Sequence, residues 1–175
     1  CVDQAPNGLI YAYSWYLDAC GVKWDGLILN DYEAVMPLTW NKKYGIYYLF
    51  QPWFCASLGV FGKNCFDEVL VKSFIQAIPK KFRYIDICLN YANKYSEDNS
   101  TFTERISYIL PLNHHYEEIR KEYRTQLKRN LTKAVNAGLI TKWDIDIHEI
   151  YPLAKEIMQR VSPINDEEAE RILFL

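Results

Sequence analysis

The sequence predicts a mixed α/β (α+β) domain in which helices flank a mostly antiparallel sheet. Apolar segments follow one another directly in the first third of the chain, which favours antiparallel pairing. A helical pattern at 66–78 then lies between two further apolar segments, which predicts one crossover connection. Half of the 175 residues are apolar and 15% are aromatic, which is enough for a hydrophobic core.

The first third of the chain predicts a short helix and three strands. The segment AYSWYLDAC has helical apolar spacing, with Ser14 as its N-cap. Two apolar segments on either side of Asn30 and Asp31 predict a hairpin of largely buried strands. The turn NKKYG leads into the strand IYYLFQPWF, which Pro52 confines to an edge, a bulge or a strand end. The glycines of SLGVFGKN predict a loop.

The remaining chain predicts alternating helices and strands. The segment FDEVLVKSFIQAI is predicted to be a helix that Pro79 ends. Strands are predicted at 82–89, in TFTERISYILPL and in LITKWDIDI, with a polar loop at YSEDNS. A helical region begins at HHYEEIRKEY and ends at Gly138, where a glycine cap is expected. Two helices close the chain, HEIYPLAKEIMQRV and NDEEAERILFL, the second capped by Asn165.

Charge and cysteine content restrict the function. A net charge of -2 and a pI near 6.0 argue against a general nucleic-acid binder, so any anion site must be local. No apolar run approaches the ~20 residues that span a bilayer, so we expect no membrane partner and a cytoplasmic location. The cysteines are odd in number, without a C-x-x-C pair, and predict buried, reduced thiols. They are Cys1, Cys20, Cys55, Cys65 and Cys88.

The segment YRTQLKRNLTKAVNAGL gathers four cations and no acid on one predicted helix. Arg124 and Lys128 are spaced by four, as are Arg129 and Lys133, so each pair is adjacent on the helix surface. Like charges at this spacing repel by about 0.2–0.5 kcal/mol per pair. A bound phosphate would relieve this repulsion, while the alternative is a solvated basic face.

Two features of the chain resemble known acyltransferases. The order of strand, glycine-bearing loop, helix and strand resembles the GNAT acyltransferase fold. The basic segment resembles the R-x-x-[IL]-[RK]-K-A-x-x-x-G helix of the Fem-type aminoacyltransferases, and NGLIYAYSWYLDAC and WDGLILNDYEAVMPL resemble their N-terminal part. The matching positions are Arg124, Lys128, Arg129, Asn130, Lys133, Ala134 and Gly138.

This resemblance implies that residues 1–175 are the first GNAT-like lobe of a longer, two-lobed protein, with the basic helix inside a helical region at 113–138. It implies transfer of an acyl or aminoacyl group to an amine. The donor would be acyl-CoA or aminoacyl-tRNA, with no other cofactor required. The basic helix would contact the phosphates of an anionic, nucleotide-linked acceptor. Partners would be a second lobe or a second copy of the chain.

The resemblance also suggests a cofactor loop. GNAT enzymes present backbone N–H groups of a glycine-rich loop to a pyrophosphate, and Gly59 and Gly62 lie at the corresponding place. The alternative is a plain connecting loop. Aromatic residues at element ends, Tyr13, Trp15 and Tyr91, are candidates to line a substrate groove, although most aromatic residues here are expected in the core.

Catalytic residues cannot be assigned from the sequence, and no metal site is predicted. The adjacent His114 and His115 have no ligand partner nearby in sequence, which favours a surface loop. Two alternative functions stay open: a binding or scaffold lobe without chemistry of its own, and a module that contacts tRNA through the basic helix.

Overall fold

The described residues of the computed structural model are 1–96, 102–161 and 166–174, and they fall into two compact units. The sheet unit comprises Cys1–Phe102 and Ile147–Leu175. The helical unit comprises Thr103–Asp146.

A five-stranded mixed sheet organises the sheet unit, which confirms the predicted fold class. Strands β1, β2 and β3 pair in order and antiparallel, β5 pairs with β3 in parallel, and the short β4 pairs with the other end of β2. The strands are β1 Lys23–Leu29, β2 Ala34–Lys43, β3 Ile46–Phe50, β4 Phe61–Gly62 and β5 Phe82–Asp86.

Six α-helices are described. The sheet unit contains α1 Ser14–Ala19, α2 Glu68–Gln76, α5 Ile147–Val161 and α6 Asp166–Glu170, with 3₁₀ helices at Val2–Gln4, Ile10–Ala12 and Arg171–Phe174. The helical unit contains α3 Tyr116–Lys121 and α4 Thr125–Asn136. None of the described helices combines the length and apolar character that crossing a membrane requires.

Helix α2 forms the crossover between the parallel strands β3 and β5. Asp67 caps it, because the Val69 N–H donates to the Asp67 carboxylate at 2.9 Å. Val71 and Phe74 from this helix are buried against the sheet. Their buried partners are Ala34, Met36, Leu38, Leu49, Val60 and Phe82. A second buried cluster joins α1 to the loop after β3 and contains Tyr16, Leu17, Cys20, Cys55 and Leu58.

The predicted hairpin is confirmed, with Leu29 opposite Ala34. Its first strand is not largely buried as expected, because β1 lies at an edge of the sheet. Strand β3 ends at Phe50, before Pro52, as the missing N–H of proline requires. The predicted cap Ser14 is wrong: it is the first residue of α1, and Tyr13 holds the N-cap position without a side-chain hydrogen bond.

Three strand predictions need correction. The strand predicted at 82–89 ends at Asp86. The segments TFTERISYILPL, in its described part, and LITKWDIDI form no strand, because neither finds a partner for its backbone groups among the described strands. The predicted helical region is confirmed but divides into two helices around Tyr123. Asn165 and most of YSEDNS lie outside the described residues.

Candidate functional site

Helix α4 carries the basic segment of the sequence. Arg124 is its N-cap residue, and Gly138 follows its end with a φ of 71°. The Gly138 N–H donates to the Val135 carbonyl at 3.0 Å, and the Leu139 N–H donates to the Ala134 carbonyl at 3.1 Å. This pair of bonds is a Schellman motif, which confirms the predicted glycine cap.

The four cations of α4 are exposed to solvent. In the described part of the chain, no carboxylate lies within ion-pair distance of Arg124, Arg129 or Lys133. The Lys128 ammonium donates to the Lys121 carbonyl at 3.0 Å, which leaves its charge without a counter-ion. The helix therefore presents positive charge that its own described surroundings do not neutralise.

Helical geometry divides these cations into two pairs. At about 100° per residue, Arg124 and Lys128 lie next to the apolar stripe that Leu127 begins. Arg129 and Lys133 lie on the opposite side of the helix. One phosphate can therefore contact one pair but not all four cations. The apolar stripe is itself partly exposed at Leu127, Leu131 and Val135.

The parallel strands β3 and β5 provide the other place where a ligand would be expected. Small molecules bind in α/β proteins beyond the carboxyl ends of strands, where neighbouring strands separate. Here the side chain of Gln51 bridges that opening. Its carbonyl oxygen accepts from the Cys88 N–H at 3.0 Å, and its amide donates to the Cys55 carbonyl at 2.7 Å.

The same opening, which we call the β3–β5 crevice, is then filled by the main chain. Leu58 forms a parallel bridge with Leu89. The Leu58 N–H donates to the Cys88 carbonyl, and the Asn90 N–H donates to the Leu58 carbonyl, both at 2.8 Å. Leu58 is fully buried, so the main chain occupies the place where a small molecule would be expected.

Three asparagines hold the glycine-bearing loop in the crevice. The Val60 carbonyl accepts from the amides of Asn7 at 2.8 Å, Asn93 at 2.9 Å and Asn90 at 3.2 Å. The Val60 N–H donates to the side-chain oxygen of Asn93 at 2.7 Å. Asn7 and Asn90 are buried, and they also bond to each other at 3.1 Å. Sequence reasoning missed this network, because no local pattern marks amides that meet across 83 positions of the chain.

The predicted cofactor glycines are both buried within this arrangement. Gly59 has a φ of 101°, and a Cβ atom there would lie 2.3 Å from the Asn93 side-chain oxygen. At Gly62 a Cβ atom would lie 2.6 Å from the Glu33 carbonyl oxygen. Close packing against the chain's own atoms thus accounts for both glycines. This geometry favours the connecting-loop alternative over a pyrophosphate site.

The three predicted groove aromatics lie along the N-terminal segment. The Tyr13 hydroxyl donates to the Asp3 carboxylate, and this hydrogen bond, with smaller contributions from burial and the Asp3 charge, raises the pKa of Tyr13. The rings of Tyr13 and Trp15 are 6.1 Å apart, and half of Trp15 is exposed. The Tyr91 hydroxyl donates to the Pro6 carbonyl at 3.2 Å. Tyr13 and Trp15 thus come together, while Tyr91 contacts a different residue.

Comparisons of the chain with protein-family models, with curated proteins and with solved structures found no match. The resemblance to Fem-type transferases therefore stays an expectation based on the basic segment and the order of elements.

Titratable groups add no metal centre to the described part of the chain. Nowhere in the described ranges do three or more His, Cys, Asp or Glu side chains group closely enough to hold a metal ion. The His114 ring lies 3.6 Å from the Glu118 carboxylate, one helical turn away. Its neighbour His115 is the N-cap residue of α3 and is exposed.

Proposed function

We propose that the chain is the substrate-anchoring lobe of a GNAT- or Fem-type acyl- or aminoacyltransferase. In this proposal, α4 binds the phosphates of an anionic, nucleotide-linked acceptor whose amine receives the acyl group. The observation that carries the proposal is the set of exposed cations on α4 without a described carboxylate partner.

The electrostatics of α4 support an anionic ligand. Each cation pair spaced by four residues is mutually repulsive, and a phosphate between its members replaces repulsion by two charge-assisted hydrogen bonds. Each pair also contains one arginine and one lysine. The planar guanidinium suits two phosphate oxygens at once, and the ammonium adds a compact charge beside it.

The sheet unit supports the fold expectation but not a donor site. Strand β3, the glycine-bearing loop, α2 and β5 follow in the order on which the GNAT resemblance rests. The β3–β5 crevice is filled by Leu58 and bridged by Gln51. We therefore propose that acyl-CoA or aminoacyl-tRNA binds outside this crevice, at a second lobe or a second copy. All five cysteines are free thiols, which is consistent with a cytoplasmic location of the protein.

Anion binding can be tested with three matched double variants of the whole chain. Arg124→Ala/Lys128→Ala and Arg129→Ala/Lys133→Ala each remove one cation pair of α4. Lys80→Ala/Arg83→Ala removes the same charge from an exposed site in the sheet unit. We expect a UDP-linked sugar, titrated by calorimetry, to lose at least about tenfold in affinity in one α4 variant, since charged hydrogen bonds contribute about 1.5–3 kcal/mol.

The control decides whether this loss is specific. Lys80→Ala/Arg83→Ala should change the affinity less than about twofold, because neither residue belongs to α4 and an exposed charge that does not contact the ligand is screened by salt. Equal losses of affinity in all three variants would show that the net charge of the chain, and not a site on α4, causes the effect. No measurable binding of the UDP-linked sugar to the unmodified chain would contradict the proposed acceptor site.

A binding or scaffold lobe without chemistry is the second candidate, and the filled crevice favours it. Such a lobe binds neither acetyl-CoA nor a UDP-linked sugar in the same titrations. A tRNA-contacting module would differ again, because its affinity for tRNA would fall steeply with salt concentration as phosphate counter-ions are released.

A further inference from the structure

Two cysteines of the second buried cluster face each other. The Sγ atoms of Cys20 and Cys55 are 3.9 Å apart, at hydrogen-bond distance for sulfur. Cys20 follows the end of α1, and Cys55 lies in the loop after β3, 35 positions along the chain. Their exposed fractions are 2% and 5%, and both are free thiols. The fold thus brings together two thiols that are far apart in sequence and do not form a C-x-x-C motif.

The surroundings make the two sulfur atoms unequal. A hydrogen bond from the Cys55 thiol lowers the pKa of Cys20, burial opposes this shift, and the positive charge of Arg171 adds to the lowering. The same hydrogen bond, together with burial, raises the pKa of Cys55. The Arg171 guanidinium is held nearby, since it donates to the Cys20 carbonyl at 3.1 Å. Cys20 is therefore the better nucleophile, and Cys55 keeps its proton.

We propose that Cys20 and Cys55 form a dithiol site that a small-molecule disulfide oxidises reversibly to an intramolecular disulfide. In the first step, the Cys20 thiolate attacks one sulfur of the reagent and releases one equivalent of reagent thiolate. The Cys55 sulfur, on losing its proton, then attacks Cys20 of this mixed disulfide and releases the second equivalent. The protein loses two electrons and two protons, and the reagent gains them as two thiols.

An open pocket lies beside Cys20, and a reagent held there would reach the buried Cys20 sulfur on local opening of the surrounding chain. The pocket has a volume of about 390 Å³, and Ala19 and Gly21 on either side of Cys20 contribute to its wall. The charged residues that line it are Asp18, Glu167, Glu170 and Arg171. Because acids outnumber the single cation, a positively charged disulfide such as cystamine suits this approach better than an anionic one.

The new bond would tie α1 to the loop that fills the β3–β5 crevice. The Cys55 carbonyl already accepts from Gln51, and Leu58 follows three positions later. The bond would close a loop of 35 positions, which restricts the unfolded chain. Oxidation should therefore raise the melting temperature by about 10 °C. It should also slow hydrogen exchange in residues 52–60.

Cystamine treatment of the whole chain tests the proposal directly. We expect the intact mass to fall by two hydrogen atoms per pair formed, and unreduced peptide mapping to join the peptides of Cys20 and Cys55. The melting temperature should rise as stated and return after treatment with dithiothreitol. Cys1→Ser should retain all of these effects, because it removes an exposed thiol outside the pair.

Other outcomes would overturn the proposal. Cys55→Ser must stop at a Cys20–cysteamine mixed disulfide; if it still loses two hydrogen atoms, the pairing is wrong. The decisive measurement is made on the unmodified chain, because its result does not depend on whether a cysteine variant folds. The site does not exist if that chain keeps a mixed disulfide, pairs other cysteines, or leaves Cys20 unreacted while Cys1 is fully modified.

Discussion

At the scale of single residues, Tyr16 shows how one side chain joins several features of the sheet unit. Its ring packs edge-on against Tyr11 and Trp15, with 5.6 Å between centroids in each case. Its hydroxyl donates to the Phe54 carbonyl at 2.8 Å, and Phe54 adopts a φ of 67°. Tyr16 thus fixes the backbone of the loop after β3 at the position before Cys55.

The ionisation of Tyr16 predicts a pH dependence of stability. Burial, with smaller effects from the nearby Cys20 and Cys55, raises the pKa of Tyr16 to about 12. The unfolded chain releases this proton near pH 10, whereas the folded chain keeps it. The contribution of the neutral phenol is therefore complete below about pH 10 and is lost as the pH rises toward about 12.

Tyr16→Phe should separate this effect from other titrations. At neutral pH the variant should be less stable by about 1 kcal/mol, because it lacks the hydrogen bond to Phe54. This deficit should shrink between about pH 10 and pH 12, since only the unmodified chain then loses the phenol contribution. Urea unfolding across this pH range measures both. Parallel pH profiles of the two chains would contradict the assignment.

At the scale of elements, the loop between β3 and α2 is fixed by bonds between distant residues. Asn7, Asn90 and Asn93 all donate to the Val60 carbonyl, and Gly59 allows Asn93 to approach. A buried amide left without its partners costs about 1–3 kcal/mol, so any side chain that displaces Asn93 affects the whole network.

Gly59→Ala should therefore destabilise the protein by about 2 kcal/mol or more, from its positive φ and from the clash with Asn93. Gly26→Ala is the matched control, because a Cβ atom at Gly26 in β1 meets nothing within 4 Å. Its effect should stay within about 0.5 kcal/mol. Urea midpoints of both variants give the comparison. Similar losses at the two glycines would mean that the Asn93 contact does not determine the loop.

The same scale shows what the sequence could predict. The spacing of apolar residues predicted α1, α2 and the hairpin correctly, because helices and hairpins depend on residues close in sequence. Apolar segments around Tyr108 and Trp143 also suggested strands, yet they form none. A strand needs a partner for its backbone groups, and local sequence does not say whether one is present. The asparagine network escaped prediction for the same reason.

At the scale of the whole molecule, the two units differ in how well regular structure protects the backbone at their exposed aromatic residues. Tyr108 is 93% exposed and Trp143 is 83% exposed, and both lie outside helices and strands. Tyr44 in the sheet unit is 92% exposed, but it lies in the tight turn between the paired strands β2 and β3. Side-chain exposure is thus similar at Tyr44 and Tyr108, while the protection of the backbone is not.

Limited chymotrypsin digestion should therefore cut after Tyr108 and Trp143 before it cuts after Tyr44. Cleavage requires an extended, accessible backbone, and opening a paired turn costs free energy that an unpaired segment does not need. Mass spectrometry of early digestion times identifies the first fragments. Initial cleavage after Tyr44 would show that side-chain exposure alone governs the reaction.

The candidate site was predicted only in part. The cation-rich segment was visible because its charges are close in sequence, and the structure leaves them exposed on α4. The division of these cations into two pairs on opposite sides of α4 follows from the rotation of about 100° per helical residue. The two sides were not distinguished in the prediction from sequence. The filling of the β3–β5 crevice by Leu58 depends on contacts between distant residues and could not be predicted.

The position of β5 has a consequence for the order in which the chain folds. Strands β1, β2 and β3 are neighbours in sequence and can pair quickly. Strand β5 pairs with β3 more slowly, because more than 30 residues of the crossover connection separate the two strands. Asn90 and Asn93 follow β5, so they reach Val60 only after it docks. A refolding intermediate should therefore contain the three-strand meander while the glycine-bearing loop is still unbound.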